Sequence, residues 1–111
     1  MLTPRETADT IQGMEVRFAD DDLDRLETDP DFDGGYPQAV VRAFRKVMQV
    51  IRAAEDERTF YALKSLNYKK LKGERSHQRS MRLNDQWRLI VEIEKKRAKN
   101  IVVVISVGDY H

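Results

Sequence analysis

The sequence predicts an α+β fold: a small antiparallel sheet, built from an N-terminal strand and a C-terminal three-strand meander, packed against two N-terminal helices. Three observations predict it. Val40, Val41, Phe44, Val47, Met48 and Ile51 recur at three- and four-residue spacing, the stripe of an amphipathic helix. From Ser80 to Ile93, apolar residues fall on every second position on both sides of a polar turn, the period of paired strands. Ile101 to Val107 is apolar on both parities, which predicts a central strand covered on both faces.

Met1 to Gln12 has no clear period and reads as an N-terminal extension, ahead of one domain over residues 13–111. Thr3 and Pro4 suit the start of a helical turn within it. Met14 to Phe18 alternates apolar and charged side chains, so it is expected as a half-buried strand. Asp20, Asp21 and Asp22 then offer helix caps and favourable charge for a short helix with Leu23 and Leu26 on its apolar side. Asp29-Pro30 ends it, because the residue before proline avoids helical dihedrals.

Gly34-Gly35-Tyr36-Pro37 is a turn that launches the longest helix, about Pro37 to Glu55. Its other face, with Arg42, Arg45, Lys46, Gln49 and Arg52, is expected to be solvated. Phe60, Leu63 and Leu66 mark one more short helical segment. The basic stretch Asn67 to Arg75 reads as a loop, and strands follow at Ser80–Leu83 and from Trp87. Placing Asp85 at the centre of a three-residue turn sets Arg82 opposite Arg88 and Leu83 opposite Trp87. Both apolar sets then share one face. Trp87 is expected in the core, and His77 is expected to be exposed without a partner.

Composition narrows the function classes. There is no cysteine, so disulfides and thiolate metal sites are excluded. The two histidines have no metal-ligand spacing, and no metal or other cofactor is expected. No apolar run approaches the roughly 20 residues of a membrane span. No apolar stretch follows basic residues at the N-terminus, so a cytoplasmic location is expected. The net charge of +1 hides an asymmetry. Eleven acids face three bases through Tyr36, and eight acids face seventeen bases after it. Between Lys64 and Arg88 there are eight Lys or Arg, opposed only by Glu74 and Asp85. Such a split points to a surface for an anionic partner.

Cleaving RNA without metal needs few parts. A base takes the proton of the attacking 2′-hydroxyl, an acid protonates the leaving 5′-oxygen, and cations hold the charge that grows on the phosphoryl oxygens. Arginine suits the phosphate because its fork matches two oxygens. Histidine titrates near neutrality, and a lysine crowded by cations loses its proton more readily. A tyrosine can stack on a base. Lys69, Lys70, Lys72, Arg82, Arg88, Tyr110 and His111 supply these types.

Leu71-Lys72-Gly73-Glu74-Arg75, then Ser80 through Arg88 with its Asn84-Asp85-Gln86-Trp87-Arg88 turn, then Asp109-Tyr110-His111, resemble the HigB group of the RelE/ParE toxin superfamily. The likeness spans roughly residues 14–111 in element order and is sharpest over the last half. It implies a RelE-like fold and the toxin of a type II toxin–antitoxin pair. It also implies a ribosome-dependent mRNA endoribonuclease, neutralised by a HigA-like antitoxin with a helix-turn-helix domain, through which oligomers would form. The message would be cut in the ribosomal decoding site. Carried over by position, the resemblance implies catalytic roles for Lys72, Arg88, Tyr110 and His111. Arg82 is expected as a further phosphate contact from its place opposite Arg88, with Lys69, Lys70 and Arg75 beside it. The chain departs from members that carry a histidine just before the loop lysine; Lys69 or Lys70 stands in that region. Two rival readings remain open at this stage: a ParE-like poison of a topoisomerase, and a scaffold that binds RNA or antitoxin without cutting.

Overall fold

The computed structural model describes residues 14–96 and 99–109. Strand β1 (Glu15–Phe18) leads into helix α1 (Asp21–Thr28), helix α2 (Gln38–Ala53) and the short helix α3 (Arg58–Ala62). A single 3-10 turn, Lys64–Leu66, precedes β2 (Lys69–Lys70), and a second, Gly73–Arg75, precedes β3 (Gln78–Arg82). Strands β4 (Trp87–Lys95) and β5 (Asn100–Asp109) complete a five-stranded sheet in the order β1-β5-β4-β3-β2.

Two details of the sheet differ from the sequence expectation. The N-terminal strand joins it in parallel, β1 against β5, so the sheet is mixed. The basic loop also contributes a fifth strand, with Lys69 opposite Ser80 and Lys70 opposite Arg79. Two residues with exposed lysine side chains carry no apolar alternation, which is why β2 reads as loop. Lysines on so short an outer strand also discourage pairing with another sheet.

The helices pack on one face of the sheet. Asp20 caps α1, its carboxylate accepting from the Leu23 N–H at 2.9 Å, and Leu23 and Leu26 are buried. All six apolar residues of the α2 stripe are buried. They meet Met81, Leu89, Val91, Val102, Val104 and Val107 from the sheet. The opposite face of α2 is less free than expected. Arg45 reaches back to the end of α1 and donates to the carbonyls of Leu26, Asp29 and Phe32, each at 3.0 Å. The Leu26 carbonyl is one that a helix end leaves without a partner, and the other two lie in the loop that follows. Arg52 forms a fork with Glu27, at 2.7 and 3.0 Å. Arg42, Lys46 and Gln49 are exposed, as expected.

The apolar run of β5 has a different cause from the one the pattern suggests. Val91 pairs with Val104 but Ile90 pairs with Ser106, so Ile105 is an extra residue in a bulge. The bulge switches parity. Val102 and Val104 face the helices before it and Val107 does so after it. The outer face is covered only in part: Ile101 is buried, while Val103 is half-buried. In the short segment after α2, Phe60 and Leu66 are buried but Leu63 is exposed.

Candidate functional site

The β3–β4 turn has the expected register. Arg82 pairs with Arg88, and the Leu83 N–H donates to the Trp87 carbonyl at 2.9 Å. Asn84 shapes the turn, its side-chain oxygen accepting from Gln86 N–H at 2.9 Å and Trp87 N–H at 2.8 Å. Alternation from Met81 and Leu89, which face the helices, puts Ser80, Arg82, Arg88 and Ile90 on the outer face. Lys69, opposite Ser80, lies on that face too. Gly108, opposite Arg88, leaves its place on the face without a side chain.

Arg88 is the centre of this surface. Its Nε–H donates to the Ser80 hydroxyl at 3.0 Å, and Nη2 donates to the Asn67 carbonyl at 2.8 Å. The guanidinium therefore crosses from β4 over β3 toward the residue that leads into β2. Partial burial, and then the neighbouring Arg82, disfavour its charge and hold its pKa below the usual arginine range. No carboxylate among the described residues pairs with it. Arg82 differs, since it is tied to Asp85 in the turn.

The loop carrying Asn67 is braced from the helix side. Tyr68 is buried, and its hydroxyl donates to Glu57 at 2.7 Å. Its ring meets Phe60 at 5.3 Å and Tyr61 at 4.8 Å. Arg79 lies 3.6 Å from the same Glu57 carboxylate. Burial, and next the Glu57 hydrogen bond, push the Tyr68 hydroxyl well above the ordinary phenol range. The stability from the neutral phenol is present below the unfolded pKa of about 10 and is lost as pH rises past it, because the unfolded chain ionises first. Denaturant titrations should therefore show stability falling above about pH 10, and Tyr68→Phe should flatten that fall.

The other expected site residues lie on the same edge. Leu71 N–H donates to the Gln78 carbonyl at 3.0 Å, so the ladder carries Lys72 to the level of His77. Alternation puts Lys70, opposite Arg79, on the helix side of β2, and Lys72 lies just past the end of that strand. Lys69, Lys70 and Lys72 are exposed and make no ion pair with a described residue. Arg75 donates to the Gln78 side chain at 3.0 Å. Tyr110 and His111 lie outside the described residues; Asp109, just before them, pairs with Trp87, one ladder position from Arg88.

Two side-chain expectations change. His77 is exposed, as expected, but it has a neighbour, with Nε2 3.6 Å from Glu92. Trp87 is half-buried at the edge of the core, with Tyr36 edge-on at 5.6 Å. Successive positive φ angles at Gly34 and Gly35 turn the chain just ahead of Tyr36. Sequence reasoning missed Ser80 and Asn67. Asn after a helical turn is a known signal for a left-handed residue, but a lone strand serine gives no signal of its partner.

Residues 16–111 match the family model described as the RelE-like toxin of type II toxin–antitoxin system HigB. Among solved structures, a YoeB/ParE toxin from Agrobacterium tumefaciens is similar, with a TM-score of 0.55 at 14% identity over 88% of this chain and 100% of that one. A conserved hypothetical protein from Helicobacter pylori gives a TM-score of 0.47 at 14% identity, over 86% of this chain and 93% of that one. No curated protein sequence matches. At that identity, the likeness to the Agrobacterium protein shows a shared fold.

Proposed function

This chain belongs to the HigB family of RelE-like toxins of type II toxin–antitoxin systems, and on that footing we propose that it is a ribosome-dependent mRNA endoribonuclease. Family membership brings a protein antitoxin as partner; a helix-turn-helix, HigA-like antitoxin is part of the proposal, as are the decoding site as the place of action and the cytoplasm as the location. Among the described residues no helix is long and apolar enough to cross a membrane.

One observation carries the nuclease reading. Arg88 is a half-buried cation held by two neutral oxygens, faced by another arginine and by no described carboxylate. Burial and the like charge both disfavour it, so an arriving phosphate relieves what the protein leaves unbalanced. Lys69 shares that face. Lys72 follows on the same edge of the sheet, just past the end of β2.

In the proposed reaction the message's 2′-oxygen attacks the adjacent phosphorus and the bond from phosphorus to the 5′-oxygen breaks. The 2′-hydroxyl proton goes to a base, a second proton reaches the departing 5′-oxygen, and a 2′,3′-cyclic phosphate or its opened product remains. Arg88 stabilises the charge on the phosphoryl oxygens, and Lys72 contacts the same group. Tyr110 and His111 stack on the nucleotide and carry protons. Lys69, Lys70, Arg75 and Arg82 hold the neighbouring backbone.

A translation extract with a defined message tests the proposal. Cuts at codon positions are expected, and His111→Ala should slow them about a hundredfold, as loss of a proton carrier does. Intact message with arrested DNA supercoiling would instead identify a topoisomerase poison. Intact message with neither effect would leave a binding protein only.

A further inference from the structure

We propose that Ser80 and Asn67 are positioning residues that lock the Arg88 guanidinium in the plane where its remaining N–H groups meet a phosphate. This rests on the reading of Arg88 given above, but the geometry that carries it is independent of the reaction. Ser80 is a polar residue with 0% exposure in the sheet. A buried hydroxyl is costly unless hydrogen-bonded, and its partner here is Arg88 Nε at 3.0 Å. The second anchor comes from another element. Asn67 ends the Lys64–Leu66 turn in the left-handed region, with φ 44° and ψ 50°. It is the one non-glycine residue with positive φ among those described. That conformation sets the direction of the carbonyl that takes Nη2 at 2.8 Å.

The choice of acceptors matters chemically. A carboxylate in either place would fix the guanidinium equally well but would neutralise it. A hydroxyl and a peptide carbonyl fix it and leave its charge for the substrate. Two acceptors on separate elements also define a plane, where one would leave the group free to swing. The Tyr68–Glu57 hydrogen bond at 2.7 Å braces the Asn67 backbone from the far side of the sheet.

The test uses the full chain in the translation extract, with kcat and KM for ribosome-bound message, and spectra of the arginine Nε–H groups of the labelled protein. Ser80→Ala should lower kcat about tenfold and leave KM within about twofold, the loss of one charge-assisted hydrogen bond. In an Arg88→Ala background the same change should cost nothing further, since there is no guanidinium left to orient. Arg88 Nε–H should exchange slowly with solvent in the parent protein and quickly in Ser80→Ala. Asn67→Gly, which keeps the left-handed backbone, should cut faster than Asn67→Ala. Ser80→Ala cutting at the parent rate would overturn the proposal, and so would an equal loss with and without Arg88. If the parent protein does not cut at all, the functional reading fails. The exchange measurement still decides this one: unchanged Arg88 exchange in Ser80→Ala sinks it.

Discussion

Arg88→Ala is expected to lower message cleavage about a thousandfold, at the upper end for removing a preorganised charge donor from a reacting oxyanion. The melting temperature should hardly move, and the reason lies in two opposed terms. Removing the side chain leaves the buried Ser80 hydroxyl without its donor, a cost of about 1 kcal/mol, while the exposed Asn67 carbonyl can turn to water. It also removes a cation that burial and Arg82 both disfavour. A residue kept for stability would show the reverse balance. Arg88→Lys should recover only part of the rate. An ammonium carries the charge but lacks the planar fork needed to hold Ser80, Asn67 and a phosphate at once. Cleavage time courses beside thermal melts of the three proteins check both halves. A loss of activity that tracks loss of fold would remove Arg88 from the chemistry.

Local periodicity made the frame of the molecule legible. The α2 stripe is buried at all six positions named from spacing. The Arg82–Arg88 pairing follows from one argument about turn length, since only an odd loop keeps Leu83 and Trp87 on the same face. What stayed hidden depends on contacts far apart in the chain. Arg88 and Asn67 are 21 residues apart, and the hydrogen bond between them needs β2, β3 and β4 in place first. Arg45 carries the same lesson. Its spacing assigns it to a solvated face, yet carbonyls at the end of α1 and in the loop after it claim it from 13 to 19 residues away. The β5 bulge was illegible for another reason. A run of Val and Ile reads alike whether both faces are covered or one extra residue switches them. For the candidate site, charge density located the cationic edge, while the groups that aim its arginine are a neutral hydroxyl and a backbone oxygen, to which charge counting is blind.

Phe44→Ala is the opposite experiment, and should cost about 4 kcal/mol of stability while leaving each folded molecule competent. Phe44 has 0% exposure and lies in the stripe that α2 turns toward Leu89, Val91 and Val104. Truncation loses the transfer energy of the ring and opens a cavity that neighbours with 0% exposure, such as Met48, Ile51 and Met81, can fill only by leaving good rotamers. A domain of this size has roughly 5–15 kcal/mol in total, so the variant should populate unfolded chains well below the parent's melting temperature. The proposed active surface, however, lies on the other side of the sheet. Arg88, Ser80 and Lys69 reach away from the helices, and the backbone between the two faces is held by its own ladder. Urea titration should therefore show a lower midpoint with an unchanged slope. Cleavage at low temperature, corrected for the folded fraction, should match the parent. A large loss of activity in fully folded Phe44→Ala would mean that packing beneath the sheet sets the position of Arg88. In that case the Ser80 and Asn67 anchors alone would not suffice to hold it.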